Sequence, residues 1–240
     1  MPATRGCLRH FISCHNARMS WFTNDTMAFF RELEQNNDKV WFEANKKRYE
    51  GSVKRPMEEF AAEMIGRMQA LDPAIDTTPR QAVFRIYRDT RFSKDKTPYK
   101  TNAGLAISRG GKHNPSTPGL YFHVDGKEVA VASGCYAPDT AQVLAIRKAI
   151  AANLDEFGKL IGDKGFVDKF GEVRGERNKV LPPEFKEVAK IQPLIANKQF
   201  YYWATLDSKA LVADDLPDRV MGYLATAAPL NLFLMKALGI

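Results

Sequence analysis

The sequence is poor in the residues from which proteins build disulfides and metal centres. Its 240 residues include three cysteines and four histidines, and no two cysteines have the CxxC spacing. Three cysteines cannot all be paired in disulfides, which favours a reducing compartment, so we expect a cytoplasmic protein. Because no histidine stands at ligand spacing from these cysteines, we predict neither a metal site nor a cofactor.

The sequence also lacks the short motifs that mark the common nucleotide-binding and hydrolytic enzymes. It contains no Walker loop and no GxGxxG, HExxH or GxSxG pattern. Gly110 and Gly111 form an isolated pair, which is typical of a loop rather than of a phosphate-binding turn. The signatures of these enzyme classes are therefore excluded.

Long apolar runs are absent as well. Residues 224–240 are apolar, but Pro229, Asn231 and Lys236 interrupt them. A membrane-spanning helix needs roughly 20 apolar residues. We therefore expect a soluble protein without a membrane partner, in which this segment is a helix docked on the core.

The first 18 residues contain three arginines and no acidic residue. Arg9 and His10 interrupt any apolar stretch there, which disfavours a signal peptide. The composition also fits an organellar presequence. We favour the interpretation that residues 1–18 are an extension upstream of a start at Met19, and that residues 19–240 form one domain.

Positive charge is concentrated in one segment of the chain. Lysine and arginine number 35 against 28 acidic residues, a formal net charge of +7. Residues 80–113 hold nine of these cations and only two acids, which accounts for the whole imbalance. Such a segment predicts a site for something anionic, although a run of charge is also typical of a solvated surface.

Alternating apolar and polar residues predict a sheet in the middle of the chain. Asp125-Gly126 is a strong hairpin signal between strands at residues 119–124 and 127–133. Residues 83–88 alternate in the same way and are predicted as another strand. We expect an α+β fold with a helical N-terminal part, a central, mainly antiparallel sheet and C-terminal helices packed on it. Helices are predicted over residues 24–37, 38–49, 57–71 and 138–153, a broken helix over residues 155–171, and helix from residue 207 to the end through residues 216–224 and 230–238. Further strands are predicted over residues 103–108 and 199–206.

The alternation also predicts which side chains could share a polar face. On residues 119–124, Tyr121 and His123 point away from Leu120 and Phe122. If the strands join in one sheet, Arg85 and Tyr87 could complete a polar floor under the basic turn. Arginine and lysine suit phosphate or carboxylate groups, and tyrosine adds hydroxyl donors. The candidate ligand-binding residues are Arg85, Tyr87, Arg88, Arg91, Lys94, Asp95, Lys96, Tyr99, Lys100, Tyr121 and Arg147. The alternative is a solvated face whose cations pair with nearby acids such as Asp89.

His123 is the candidate general acid or base, because histidine ionises near neutral pH and this one lies on a predicted strand. A structural histidine bonded to a neighbour is the alternative. Cys135 follows a strand, where a nucleophile could stand, but no base accompanies it in the sequence, and we interpret it as a packed residue.

Two motifs give the chain a resemblance to a known family. One is Trp41-Phe42-Glu43-Ala44-Asn45-Lys46 with Arg48-Tyr49, and the other runs over residues 84–101 as FRIYRDTRFSKDKTPYKT. With Tyr121, His123 and Ile146-Arg147, they resemble the domain of unknown function 2461 family, from about Met19 to the C-terminus. The resemblance implies no established activity. The chain departs from the family pattern at Cys135-Tyr136 and Gln192-Pro193.

Three functions fit these observations. The first is binding of a phosphorylated or carboxylated small molecule by the basic segment. The second is nucleic-acid binding, with cations on phosphates and aromatic rings stacked on bases. The third is a hydrolase or transferase for an anionic substrate with His123 as acid or base. A concave site with converging cations would favour the first function, and a long open basic stripe would favour the second. The oligomeric state stays open.

Overall fold

The computed structural model describes residues 20–240, and the N-terminal extension predicted for residues 1–18 lies outside them. The described chain begins with four helices, and a π-helical turn joins the third to the fourth. The start of the second helix near residue 38 is confirmed, and Asp38 caps this helix by accepting a hydrogen bond from the backbone N–H of Trp41. These helices are α1 (Asn24–Gln35), α2 (Lys39–Ala44), α3 (Lys46–Tyr49) and α4 (Arg55–Leu71), with the turn at Glu50–Lys54.

The short helix α5 (Pro79–Ala82) leads to a four-stranded antiparallel sheet in the order β1-β2-β3-β4. The hairpin predicted around Asp125-Gly126 joins β2 to β3, with Val124 opposite Val129. The strands are β1 (Asn102–Ile107), β2 (Leu120–Asp125), β3 (Val129–Cys135) and β4 (Phe200–Leu206). Helices with an antiparallel sheet confirm the predicted α+β class.

One face of the sheet is covered by helices. Leu105, Phe122 and Val131 on this face are fully buried, and Phe60 of α4 packs its ring 4.8 Å from that of Phe122. The other face carries Tyr121 and small residues such as Ala106 and Ala132, and all seven residues of β3 are buried. The two-residue period therefore divides the sheet as the sequence predicted for β2.

The C-terminal half forms a second helical layer. Its helices are α6 (Thr140–Ala152), α7 (Leu154–Ile161), α8 (Lys164–Phe170), α9 (Val188–Ile191) and α10 (Leu216–Leu238), with short 3₁₀ turns at Pro183–Phe185, Pro193–Ala196 and Ser208–Val212. The helix predicted through residues 216–224 and 230–238 is one element, because α10 continues through Pro229. Val220, Leu224 and Leu234 lie on the buried side of α10, which packs on β3 and α6.

Within residues 20–240, α10 is the one helix whose length and apolar composition would suffice for a membrane crossing. Its window has a mean hydropathy of 1.2. Because its buried stripe packs on the sheet and on neighbouring helices, the docked position predicted for this segment is confirmed.

Residues 83–88 do not form the regular strand that their alternation predicted. They pair with the chain around β1 through isolated bridges, Val83 with Leu105 and Tyr87 with Tyr99, and the backbone bends at Ile86. The alternation of burial nevertheless persists, with Ile86 buried between the exposed Arg85 and Tyr87. A similar isolated pairing covers the opposite edge, where Arg174 bridges to Tyr201 of β4.

Candidate functional site

A cavity of about 680 Å³ lies over the open face of the sheet. We call it the main cavity. Its floor contains small residues of adjacent strands, among them Gly104, Ala132 and Gly134. Gly104 lets the hydroxyl of Tyr121 lie against β1, since a Cβ atom there would stand 3.1 Å from that oxygen. The volume is ordinary for a small-molecule site.

Aromatic residues form the walls of the main cavity. Tyr121 and Trp203 flank Ala132 in one row across the sheet, and their ring centroids are 5.9 Å apart. Phe84 lies on the other side of Tyr121, at 6.2 Å. Burial raises the pKa of Tyr121 to about 12, so its hydroxyl remains a hydrogen-bond donor at neutral pH.

Three cations, Lys100, Lys112 and Arg174, line the main cavity, and none of the described residues that line it is acidic. The ammonium groups of both lysines lie over the ring of Phe84, at 5.3 Å for Lys100 and 5.8 Å for Lys112. Lys112 also donates a 2.7 Å hydrogen bond to the carbonyl of Val83, which ties its loop to the segment before β1. Lys100 and Lys112 therefore meet over one aromatic ring, whereas Arg174 lines the cavity from the β4 edge of the sheet.

The protein environment disfavours the charged form of both lysines. Partial burial lowers the pKa of Lys100, and the nearby charges of Arg85 and Lys112 lower it further. Partial burial also lowers the pKa of Lys112. Neither lysine forms an ion pair with a carboxylate of residues 20–240. An anion in the cavity would supply the missing opposite charge.

The basic turn, residues 88–97, is held by pairs within itself. Arg88 hydrogen-bonds to the carboxylate of Asp95 and to the hydroxyl of Thr97. The hydrogen bond from Arg88 lowers the pKa of Asp95 to about 2, and the backbone N–H of Thr97 contributes to this shift. Asp95 therefore orients Arg88, and this arginine is already paired.

Two further cations of the basic turn bind groups within the turn, and a third is exposed. Arg91 forms a 2.7 Å ion pair with Asp89, and Lys96 donates a 2.8 Å hydrogen bond to the carbonyl of Thr90. Lys94 is exposed and lines neither cavity described here. The solvated, internally paired surface considered from the sequence thus describes much of this turn.

A second cavity, of about 380 Å³, lies at the base of the basic turn. Arg88 and Asp95 line it together with Glu34 of α1, so it contains acids as well as cations. Lys100 and Asn102 line both cavities. These two residues connect the basic segment to the main cavity.

The polar floor of Arg85, Tyr87, Tyr121 and His123 predicted from the sequence does not form. Phe84 takes the position beside Tyr121, because Val83 pairs with Leu105 on the buried face of the sheet and the next residue therefore lies on the face of Tyr121. Arg85 is exposed and Tyr87 is 49% exposed, and neither lines a cavity.

Tyr99 faces the N-terminal helices rather than the main cavity. Its ring stacks on Phe42 at a centroid distance of 3.9 Å, and Tyr87 lies 5.5 Å from it. The two tyrosines therefore belong to an aromatic cluster that attaches the basic segment to α2.

Arg147 is buried in α6 and is not brought to either cavity. Its guanidinium donates hydrogen bonds to the carbonyls of Ile195 at 2.8 Å and Asn197 at 3.1 Å. Burial lowers its pKa. The geometry gives this candidate ligand residue a supporting role for the segment before β4.

His123 lies beside the main cavity, with its ring 5.3 Å from that of Trp203. Both ring nitrogens already face partners. Nδ1 lies 3.3 Å from the side-chain amide nitrogen of Asn102, and Nε2 lies 3.3 Å from Oδ2 of Asp125. Neither nitrogen is therefore free to reach a reacting group in the cavity without giving up a neighbour. These contacts fit the structural histidine considered as the alternative, and a catalytic role of His123 stays a prediction.

Comparison with protein families finds one match. The profile of the family described as Conserved hypothetical protein (DUF2461) matches residues 25–233. The chain belongs to this family. Comparison with curated proteins and with solved structures finds no match. The DUF2461 membership confirms the resemblance expected from the sequence motifs and assigns no activity.

The two sequence motifs of this DUF2461 chain meet in the fold. Phe42 from the first motif stacks on Tyr99 from the second. Arg48, also in the first motif, holds Asp25 and Glu32 of α1 at 2.7 Å and 2.6 Å. The first motif therefore assembles the helices that support the basic segment, and does not line the main cavity.

Several residues of the main cavity were absent from the sequence prediction. Lys112 lies within the basic segment, so its charge was a usable signal. Trp203 and Tyr201 lie on a predicted strand, but only the pairing of β3 with β4 places them beside Tyr121. Arg174 reaches the cavity because its backbone N–H donates to the carbonyl of Tyr201, and no local pattern predicts this contact.

Proposed function

We propose that this protein binds a small molecule carrying a phosphate or carboxylate group in the main cavity. The observation that carries the proposal is the set of lysine and arginine side chains that line it without an accompanying carboxylate. Lys100, Lys112 and Arg174 supply positive charge from three separate segments of the chain. Charge-assisted hydrogen bonds to such an anion are about twice as strong as neutral ones.

The electrostatics of the unliganded protein support this assignment. The pKa of Lys100 is lowered by burial and by the charges of Arg85 and Lys112. A bound anion would offset this repulsion, so part of its binding free energy would come from relief of an unfavourable arrangement. In a purely structural cluster, a carboxylate of the protein would be expected to fill this role.

The aromatic walls support a ligand that also has a planar or apolar part. Trp203 and Tyr121 present ring surfaces above Ala132, and the hydroxyl of Tyr121 adds a donor. Small-molecule sites commonly combine a mainly apolar lining with a few converging polar groups. The proposed ligand therefore has an anionic end near the lysines and a flat portion against the aromatic walls.

Nucleic-acid binding is supported less well by the same surface. A single strand would need a continuous row of accessible cations and stacking rings. In the basic turn, Arg88 and Arg91 are paired with Asp95 and Asp89. Lys100 and Lys112, which have no carboxylate partner within residues 20–240, lie over one aromatic ring in a concave site, and this favours a small ligand.

Thermal stabilisation by simple anions tests the proposal. Inorganic phosphate, pyrophosphate and citrate are the probes, at constant ionic strength. A probe at a hundredfold excess over its Kd stabilises the folded state by about 2.7 kcal/mol. For a chain of this size that corresponds to a Tm increase of roughly 5–10 °C.

Matched variants locate the binding. Lys100→Met and Lys112→Met should each weaken pyrophosphate binding by roughly 10- to 150-fold, because a hydrogen bond to a charged group contributes about 1.5–3 kcal/mol. Lys94→Met removes the same charge from an exposed position outside both cavities and should change the Kd by less than about threefold.

Two results would contradict the proposal. One is the absence of stabilisation by all three probes. The other is an equal loss of binding in Lys94→Met and Lys100→Met, which would indicate a response to net charge alone. Salt-dependent binding of a single-stranded oligonucleotide, lost in Lys94→Met as well as in Lys100→Met, would establish the nucleic-acid function instead.

A further inference from the structure

We propose that His123, Asp125 and Glu128 form a binding site for a divalent first-row transition-metal ion at the hairpin between β2 and β3. The imidazole and the two carboxylates each offer one ligand atom, and these atoms all lie within 4.8 Å of one another. Two ligands bound to one ion at about 2.0–2.2 Å cannot be more than about 4.4 Å apart, so small side-chain movements suffice. This site does not depend on the proposed anion binding.

Two of the three ligands, His123 and Glu128, are oriented by a partner on another strand. Nδ1 of His123 faces the amide of Asn102 at 3.3 Å, which leaves Nε2 directed at the carboxylates. Glu128 accepts a 2.8 Å hydrogen bond from the hydroxyl of Thr205 on β4. Outer partners of this kind fix the orientation of metal ligands and tune their affinity.

The carboxylate of Asp125 is oriented by backbone N–H groups of the hairpin itself. Its Oδ1 accepts hydrogen bonds from the backbone N–H groups of Lys127 at 2.6 Å and Glu128 at 2.7 Å. Its Oδ2 is thereby turned toward Nε2 of His123, at 3.3 Å. One carboxylate oxygen is thus engaged by the backbone, and the other is presented to the site.

The charge at this position also suits a cation. The overall chain is strongly basic, yet no lysine or arginine of the described residues forms an ion pair with Asp125 or Glu128. Lys127, which lies between them in the sequence, reaches away to Glu34 at 2.9 Å. Two neighbouring carboxylates without a lysine or arginine partner favour a divalent ion.

The ligand types indicate the class of metal. Imidazole suits zinc, iron, nickel and copper, whereas carboxylates suit manganese and harder ions. One imidazole with two carboxylates therefore points to Mn²⁺, Fe²⁺ or Zn²⁺. Three protein ligands leave further positions for water or for an anionic group. The sequence prediction of no metal site rested on cysteine and histidine spacing, and it did not consider the pattern His-x-Asp-x-x-Glu.

Mn²⁺ is the primary probe for the test, because Cys7 and Cys14 could bind Zn²⁺ through their thiolates. The untagged full chain is titrated with Mn²⁺, and the loss of the free-ion electron paramagnetic resonance signal reports binding. The expected result is about one equivalent bound with a Kd below about 1 mM, an affinity of at least about 4.1 kcal/mol.

Conservative variants assign the ligands. His123→Gln and Glu128→Gln should each weaken Mn²⁺ binding at least about tenfold, since even an outer partner typically contributes that much. Glu34→Gln is the matched control: it removes a nearby carboxylate outside the cluster and should leave the Kd within about threefold. Circular dichroism establishes that each variant is folded.

Trp203 provides a second, positional readout because its ring lies 5.3 Å from that of His123. Co²⁺ bound in the cluster should quench the fluorescence of the wild-type protein, and most of this quenching should be absent in Trp203→Phe. The proposal is overturned if Mn²⁺ does not bind, or if wild type, His123→Gln and Glu128→Gln bind it equally. It is also overturned if Co²⁺ quenches Trp203→Phe as strongly as wild type.

Discussion

Replacing Arg147 by methionine distinguishes a supporting arginine from a ligand-binding one. Methionine occupies a similar volume but donates no hydrogen bond. The carbonyls of Ile195 and Asn197 would lose their 2.8 Å and 3.1 Å bonds from this side chain inside the protein. A buried polar group left without its partner costs about 1–3 kcal/mol, so the two together amount to about 2–6 kcal/mol.

An opposing effect reduces this loss. Burial lowers the pKa of Arg147, which means that its charged form is disfavoured where it lies. Removing the guanidinium relieves that penalty, so we expect a loss of about 2–4 kcal/mol in the free energy of unfolding. For a chain of this length, the corresponding fall in Tm is roughly 4–16 °C.

Thermal melts and pyrophosphate titrations of the same samples provide the assay. Lys148→Met is the control, because Lys148 is the next residue of α6 and is exposed. Arg147→Met should lower the Tm while leaving the Kd for pyrophosphate within about threefold, and Lys148→Met should alter neither. An unchanged Tm together with a Kd raised tenfold or more would refute the structural reasoning and restore Arg147 as a ligand residue.

Two further predictions concern the basic segment. The cationic forms of Lys100 and Lys112 bind the anion, and the pKa values of both lysines are lowered. Pyrophosphate binding should therefore weaken as the pH rises toward 10, at a lower pH than for an ordinary lysine with a pKa of about 10.4. Constant affinity up to pH 10.5 in a calorimetric titration would show that these lysines do not contact it. Asp95→Asn removes an exposed ion pair with Arg88. Because such a pair contributes about 0–1 kcal/mol to the free energy of unfolding, the Tm measured by thermal melting should change by no more than a few degrees. A tenfold change in the pyrophosphate Kd of this variant would instead show that the basic turn participates in binding.

The local pattern of the sequence was sufficient to predict most of the elements. The hairpin at Asp125-Gly126, the start of α2 near Asp38 and the inward side of β2 all follow from turn chemistry and from the helical and two-residue periods. These features depend on neighbours within a few residues. They are therefore confirmed almost residue by residue.

The composition of the site depends on longer-range pairing, and there the sequence was less informative. The pairing of Val83 with Leu105 put Phe84 rather than Arg85 beside Tyr121. Trp203 reaches Tyr121 through two strand pairings, because Ala132 lies opposite both residues. Periodicity gives the face of one strand, but it does not give the order of strands or the path of an irregular segment.

The coverage of the two edge strands of the sheet has a consequence for aggregation. The outer strand β1 is covered by the residues around Val83, and β4 is covered by Arg174. An uncovered edge offers unpaired N–H and C=O groups to another chain and invites aggregation. The same two segments carry Phe84 and Arg174 to the main cavity. A ligand that holds these two segments in place would thus also protect both edges from intermolecular strand pairing. A substitution that displaces either segment would expose an unpaired strand edge and would also weaken ligand binding.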